Sequence, residues 1–139
     1  RYTAPSPALP SYEDRRHLAA IGNFNHPPNR DSFRMLHDEI WPGIRRRLGE
    51  RGIHDVELHI YGAYPTRDLV SRDNEQTGFR VRGPAVNAID TLSQYRLNVA
   101  PLRFGAGIKG KVADGWAAGT PCIATSIAAE GMKSGDSFG

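Results

Sequence analysis

A single cysteine in 139 residues excludes an internal disulfide. Cys122 sits in the apolar run PCIAT and reads as a buried structural thiol. The lack of paired cysteines suits a reducing compartment such as the cytoplasm. No apolar run approaches the length of a membrane span. The opening RYTAPSPALP has no apolar core, so it is not a signal peptide, and the missing initiator Met suggests an excised fragment. No D-x-D pair is present to hold a divalent metal. The only basic run, Arg45 to Arg47, has no interleaved aromatics, which removes the usual means of stacking on nucleic acid. At a helix end such a run reads as a solvated face that complements the helix dipole. The net charge of +3 suits an anionic ligand without demanding one.

What is present fits one domain with a core of its own. Hydrophobic residues make up 39% and charged residues 24%, which excludes wholesale disorder. Pro5, Pro7 and Pro10 mark residues 1–13 as an extended linker. Residues 14–139 then alternate between strand and helix patterns. HLAAIGNF reads as a buried strand. Asn29 is the expected cap of a helix whose apolar stripe is Phe33, Leu36, Ile40, Ile44 and Leu48. Pro42 and Gly43 should kink or split that helix, and Gly49 or Gly52 should end it. DVELHIYGAY and GFRVRGPA read as further strands. Asn87 caps a brief helix, AIDTLSQY. LNVAPL reads as a strand covered on both faces. A helix is expected from about Ile108 to Ala118, with Gly119 as terminator, before a last strand, CIATS. The pattern predicts an α/β sandwich with a mainly parallel sheet, whose ligands bind at the carboxyl ends of the strands.

One such end carries RFGAGIKGKVADGWAAGTP, from Arg103 to Pro121. Gly105, Gly110 and Lys111 fit most of a P-loop, but Val112 stands where a hydroxyl would hold magnesium. Gly105, Gly107 and Gly110 fit the dinucleotide pattern G-x-G-x-x-G, and Glu130 lies where a ribose-binding acid would fall. An NAD or FAD domain therefore stays open, although that fingerprint usually begins a domain and this one comes after most of the sheet. The third possibility is a diphosphate cradle. A helix N-terminus offers N–H groups, glycines let backbone approach the phosphates, and Lys109 and Lys111 add charge.

The longer run APLRFGAGIKGKVADGWAAGTPCIATSIAAEGM resembles the donor-binding domain of group 1 glycosyltransferases of the GT-B fold, the family 4 type of retaining enzymes. IGNFNHPPNRDSF, VELHIYGAYP and FRVRGPA are similar to other pieces of that domain and occur in the family's order, from roughly Asp14 to Met132. The resemblance implies a Rossmann-like half of a GT-B enzyme, truncated at its C-terminal end. It implies a nucleoside-diphosphate sugar as donor substrate, no cofactor or metal, and an absent N-terminal domain that carries the acceptor. A fragment of this kind is expected to be inactive by itself. A non-catalytic GT-B-like binding module is the other reading.

The resemblance also distributes roles. Gly105 and Gly107 let backbone approach the diphosphate, and Lys109 and Lys111 pair with it. Two acids eight positions apart usually flank this turn. The second falls on Asp114, a ribose contact one methylene shorter than the usual Glu, or else a surface acid. The first falls on Ala106, which can make no such contact. Gly22, Asn23, Asn25 and His26 belong to the first strand-to-helix turn, facing the cleft. Pro84 and Ala85 lie where the base commonly meets backbone. Glu130 is either a donor-sugar contact or a structural cap. Trp116 reads as core, and Arg80 and Arg82 as a solvated face. No catalytic residue is identifiable in this stretch.

Overall fold

The computed structural model describes residues 10–104 and 114–125. Five parallel strands form one sheet: β1 (Leu18–Ile21), β2 (Leu58–Tyr61), β3 (Phe79–Gly83), β4 (Leu97–Ala100) and β5 (Cys122–Ala124), in the spatial order β3-β2-β1-β4-β5. From β1 the chain moves outward to β2 and β3. It then returns past β1 to β4 and β5. The reversal falls between β1 and β4, which makes their carboxyl ends the topological switch point.

Alternate strand residues feed cores on the two faces of the sheet. Leu18 and Ala20 pack with Leu58, Ile60, Phe33, Leu36, Trp41 and Leu69 on one face. Ala19 packs with Leu92 and Tyr95 on the other, supported by Ile21, Tyr61 and Ala118. Burial on both faces is what makes β1 and β4 near-continuous apolar runs. This is the α/β, Rossmann-like sandwich that the strand and helix alternation predicts.

The first helical stretch is split, as Pro42 requires. Helix α1 (Pro27–Met35) passes through one π turn (Leu36–Ile40) into α2 (Trp41–Glu50). Proline has no N–H for the carbonyl four residues back, and its ring crowds that carbonyl. Here the Trp41 N–H reaches the Leu36 carbonyl instead, the wider spacing of a π turn. The start of α1 differs from expectation. His26, not Asn29, occupies the cap position, without a side-chain cap bond, because Pro27 and Pro28 already suit the first helical turn. Asn29 lies buried inside the helix, and its Nδ2 donates to the Asn23 carbonyl at 2.8 Å.

Helix α3 (Arg67–Ser71) escapes the sequence reading because five residues are too short to show a period. Thr66 Oγ1 caps it by accepting from the Leu69 N–H at 3.1 Å. Asn87 caps α4 (Ala88–Leu92) as expected, accepting from the Asp90 N–H at 2.9 Å. Of the expected helix 108–118, residues 114–117 are described and helical. The turn closes through the Thr120 N–H to the Gly115 carbonyl at 2.9 Å, with Gly119 at φ +69, the left-handed terminator that a glycine favours. Trp116 corrects the sequence reading: it is 51% exposed and does not belong to either core. Cys122 is only half-buried, with the Asn98 amide 3.6 Å from its sulfur. Arg46 and Arg47 are exposed, whereas Arg45 donates to the Thr77 and Gln76 carbonyls and ties α2 to the turn before β3.

Candidate functional site

The turn after β1 is built from short bonds within itself. The Asn23 side-chain oxygen accepts from the Asn25 N–H at 2.8 Å, and its carbonyl accepts from the His26 N–H at 3.2 Å. Arg30 donates to the Phe24 carbonyl at 2.7 Å. Phe24 is the anchor, 1% exposed and tilted against Phe33 with ring centres 4.7 Å apart. These bonds fix the turn while leaving Asn25 and His26 exposed at the edge of the sheet.

The neighbouring turn after β2 closes against it. The Gly22 N–H donates to the Tyr61 carbonyl at 3.0 Å, and the Phe24 N–H to the Ala63 carbonyl at 3.1 Å. Gly62 lies so close that a Cβ there would stand 1.9 Å from the Gly22 oxygen. Only glycine allows that approach. On the other side of β2, the Gly62 N–H donates to the Gly83 carbonyl at 2.8 Å. Register shifts between Ile60 and Tyr61, and Gly83 takes φ +84 as β3 ends.

β4 ends in Pro101, Leu102, Arg103 and Phe104. Leu102 is fully buried, and Thr125 donates from its hydroxyl to the Leu102 carbonyl at 2.5 Å, joining the ends of β4 and β5. Arg103 grips Asp31 of α1 with two bonds, Nε at 2.9 Å and Nη2 at 2.5 Å. The hydrogen bond from Arg103, followed by its charge, holds the Asp31 carboxyl below its ordinary range against the opposing pull of partial burial. This forked pair fastens the root of the glycine-rich stretch to the helix that follows β1. Sequence reading did not find it. The partners lie 72 residues apart, in two separate motifs that nothing in the sequence links.

The expected first-turn residues Gly22, Asn23, Asn25 and His26 thus stand at the switch point, beside the end of β4. Asp114 lies in the described helical residues 114–117 and is half-exposed. Gly105, Ala106, Gly107, Lys109, Lys111 and Glu130 lie outside the described residues. Arg82 is exposed, as expected, while Arg80 is paired with Asp73 at 3.0 Å. Among the described residues, no group of acidic, histidine or cysteine side chains is arranged to hold a metal, and no helix is long and apolar enough to cross a membrane.

A large hollow among the described residues lies elsewhere. A groove of about 810 Å³ runs over the sheet face beside α2, lined by Ile40, Ile44, Leu48, Leu97, Val99 and Ile123. Charged side chains, among them Arg15, Arg16, Asp55 and Arg96, line it as well.

Behind the β1 and β2 turns, on the opposite face, a chain of polar groups crosses the core. Glu57 Oε1 is 2.8 Å from His59 Nε2, His59 Nδ1 is 2.6 Å from the Tyr95 hydroxyl, and that hydroxyl is 2.5 Å from the Tyr61 hydroxyl. Burial pushes the His59 imidazole below its ordinary value, against the opposing pull of Glu57. Burial also raises the Glu57 carboxyl, but the hydrogen bond and charge of His59 outweigh it and leave the carboxyl lowered. A neutral His59 fixes every proton. Its Nε2–H donates to Glu57, so Nδ1 accepts from Tyr95, whose oxygen then accepts from Tyr61. Burial and the Tyr61 hydroxyl raise the Tyr95 phenol, which stays protonated.

No curated protein matches the chain closely enough to count as a relative. Among family models, that of the glycosyl transferases group 1 matches residues 15–137, nearly the whole described domain. With the parallel sheet, the switch point between β1 and β4 and the order of the turns in place, the chain belongs to the group 1 glycosyl transferases.

Proposed function

We propose that this chain is the donor-binding half of a retaining glycosyltransferase of the GT-B fold, family 4 type, acting on a nucleoside-diphosphate sugar. The observation that carries the reading is the meeting of the β1 and β4 ends at the switch point, with the glycine- and lysine-rich stretch leaving from the latter. Family membership supports sugar transfer over the NAD or FAD alternative.

In this reading Gly105 and Gly107 let backbone approach the diphosphate, and Lys109 and Lys111 neutralise it. Lysine ammonium groups are mobile point charges and do this without a fixed fork. Asp114 holds the ribose hydroxyls, Glu130 meets the donor sugar, and the Pro84 and Ala85 backbone meets the base. Gly22, Asn23, Asn25 and His26 shape the floor of the cleft. The chemical task is to stabilise a departing nucleoside diphosphate, which is electrostatic work for backbone amides and lysines, with no metal in the scheme. The acceptor and the remaining catalytic groups belong to an N-terminal domain of the same enzyme. The 139 residues alone then turn over little or no donor, in a cytoplasmic setting.

Calorimetric titration with UDP, GDP, ADP, NAD and their sugar conjugates tests this. One nucleoside diphosphate should bind, and Lys109→Ala/Lys111→Ala should abolish the binding. Preference for NAD would return the dinucleotide reading. Ala106, standing where the family usually has an acid, favours one alternative, a module that binds without catalysis. That module would bind no nucleotide at all, or bind it yet show no turnover in the longest natural form of the protein.

A further inference from the structure

Tyr64 is the only non-glycine residue at positive φ among the described residues, at +58. A side chain in that region is strained where glycine would not be. Tyr64 is also 67% exposed, so burial does not repay the strain. Among the described residues its hydroxyl has no hydrogen-bond partner and its ring no aromatic neighbour. An exposed aromatic held in a strained turn points to a ligand that packs on it.

Its position narrows the ligand. Ala63, the preceding residue, is bonded to Phe24 of the β1 turn, and Gly62 is bonded to Gly83 of the β3 turn. Tyr64 therefore follows directly on backbone tied both to the turn that floors the cleft and to the Gly83 end of β3. Beyond β3, Val86 is fully exposed and Ile89 is 40% exposed, further apolar surface after that strand end. Flat, aromatic and polar only at its edges, a nucleobase matches an exposed tyrosine face next to the end of a strand. A phosphate or a sugar hydroxyl does not.

We propose that Tyr64 is the platform on which the base of the nucleotide donor stacks, while the backbone after β3 reads the base edge. This rests on the donor-binding reading above. Stacking tolerates any base, so Tyr64 contributes affinity and the β3 turn contributes choice.

The test titrates UDP, GDP, ADP and inorganic pyrophosphate into the full chain and into Tyr64→Ala, Tyr64→Phe and Tyr64→Gly. Tyr64→Ala should weaken the preferred nucleoside diphosphate by roughly tenfold and leave pyrophosphate unchanged. Tyr64→Phe should bind like the parent. Tyr64→Gly should lose the same affinity while its Tm rises, because the strain is relieved. Parent-like nucleotide binding by Tyr64→Ala overturns the proposal and leaves the donor reading standing. Equal weakening of pyrophosphate also overturns it, since the residue would then act on the phosphates or on the turn. A parent chain that binds no nucleotide overturns the donor reading and this proposal together.

Discussion

Tyr95→Phe removes one oxygen from the middle of the buried polar chain. Tyr95 is 6% exposed and His59 8% exposed, so water does not replace the lost group at His59. The imidazole Nδ1, an acceptor in the neutral ring, loses its donor. Tyr61, which is half-buried, loses its acceptor but can turn to solvent. The cost is therefore one unsatisfied buried acceptor with little else, about 2 kcal/mol. For a domain of this size that lowers Tm by roughly 6–8 °C. The pH dependence has a definite sign. Folding lowers the His59 pKa, so the unfolded chain binds the proton more readily. Stability is complete above the unfolded histidine value of about 6.5 and falls as pH drops through it toward the folded value. Glu57, also lowered, adds a second loss below its own unfolded value of about 4.5. Chemical denaturation followed by circular dichroism between pH 8 and about pH 3.5 measures both effects. A Tyr95→Phe chain within about 0.5 kcal/mol of the parent would refute the proton assignment, because that loss is too small for an orphaned buried acceptor.

Gly62→Ala should destabilise by about 3 kcal/mol, since the new methyl meets the Gly22 backbone oxygen and the Phe24 ring, neither free to move. The same denaturation assay reads it, and a neutral outcome would mean the β1 and β2 turns separate more easily than their hydrogen bonds indicate. Arg103→Ala should leave Tm almost unchanged, because the pair with Asp31 lies at the surface. It should nevertheless weaken nucleoside diphosphate binding by releasing the root of the glycine-rich stretch, a loss visible by titration and mimicked by Asp31→Asn.

The parts legible in the sequence were those where local chemistry and tertiary position agree. The runs around Ala19 and Val99 are apolar but for the buried Asn98 because both faces are covered. Asn87 looked like a cap and is one, and Gly119 looked like a terminator and has the φ of one. Asn29 shows how two local signals compete. Its residue type favours a cap, but the two prolines before it take the first helical positions and leave it inside. Trp116 was misplaced because helical spacing names a face without saying what covers it. The forked Arg103–Asp31 pair and the Glu57–His59–Tyr95–Tyr61 chain join residues far apart in sequence. Only the assembled sheet brings them together. The place of the first turn was legible from the order of the motifs; the strained Tyr64 was not, since nothing in its residue type forecasts a positive φ.

The beginning of α1 also decides how charge is divided in the proposed site. Helix N-termini attract anions chiefly through free N–H groups. Here Pro27 and Pro28 have none, and the Asn29 and Arg30 N–H groups both turn to the His26 carbonyl, at 3.0 and 3.2 Å. The nearby Arg30 and Arg103 guanidinium groups are committed to the Phe24 carbonyl and to Asp31. The β1 turn can therefore shape a cleft but brings few donors to a phosphate. In the donor-binding reading the charge must come from the other side of the switch point, where Lys109 and Lys111 stand in the sequence. Removing both lysines should then abolish diphosphate binding outright. A site sharing the load between two helix N-termini would lose only part of it, so substantial residual affinity in the double variant would show that this division is wrong.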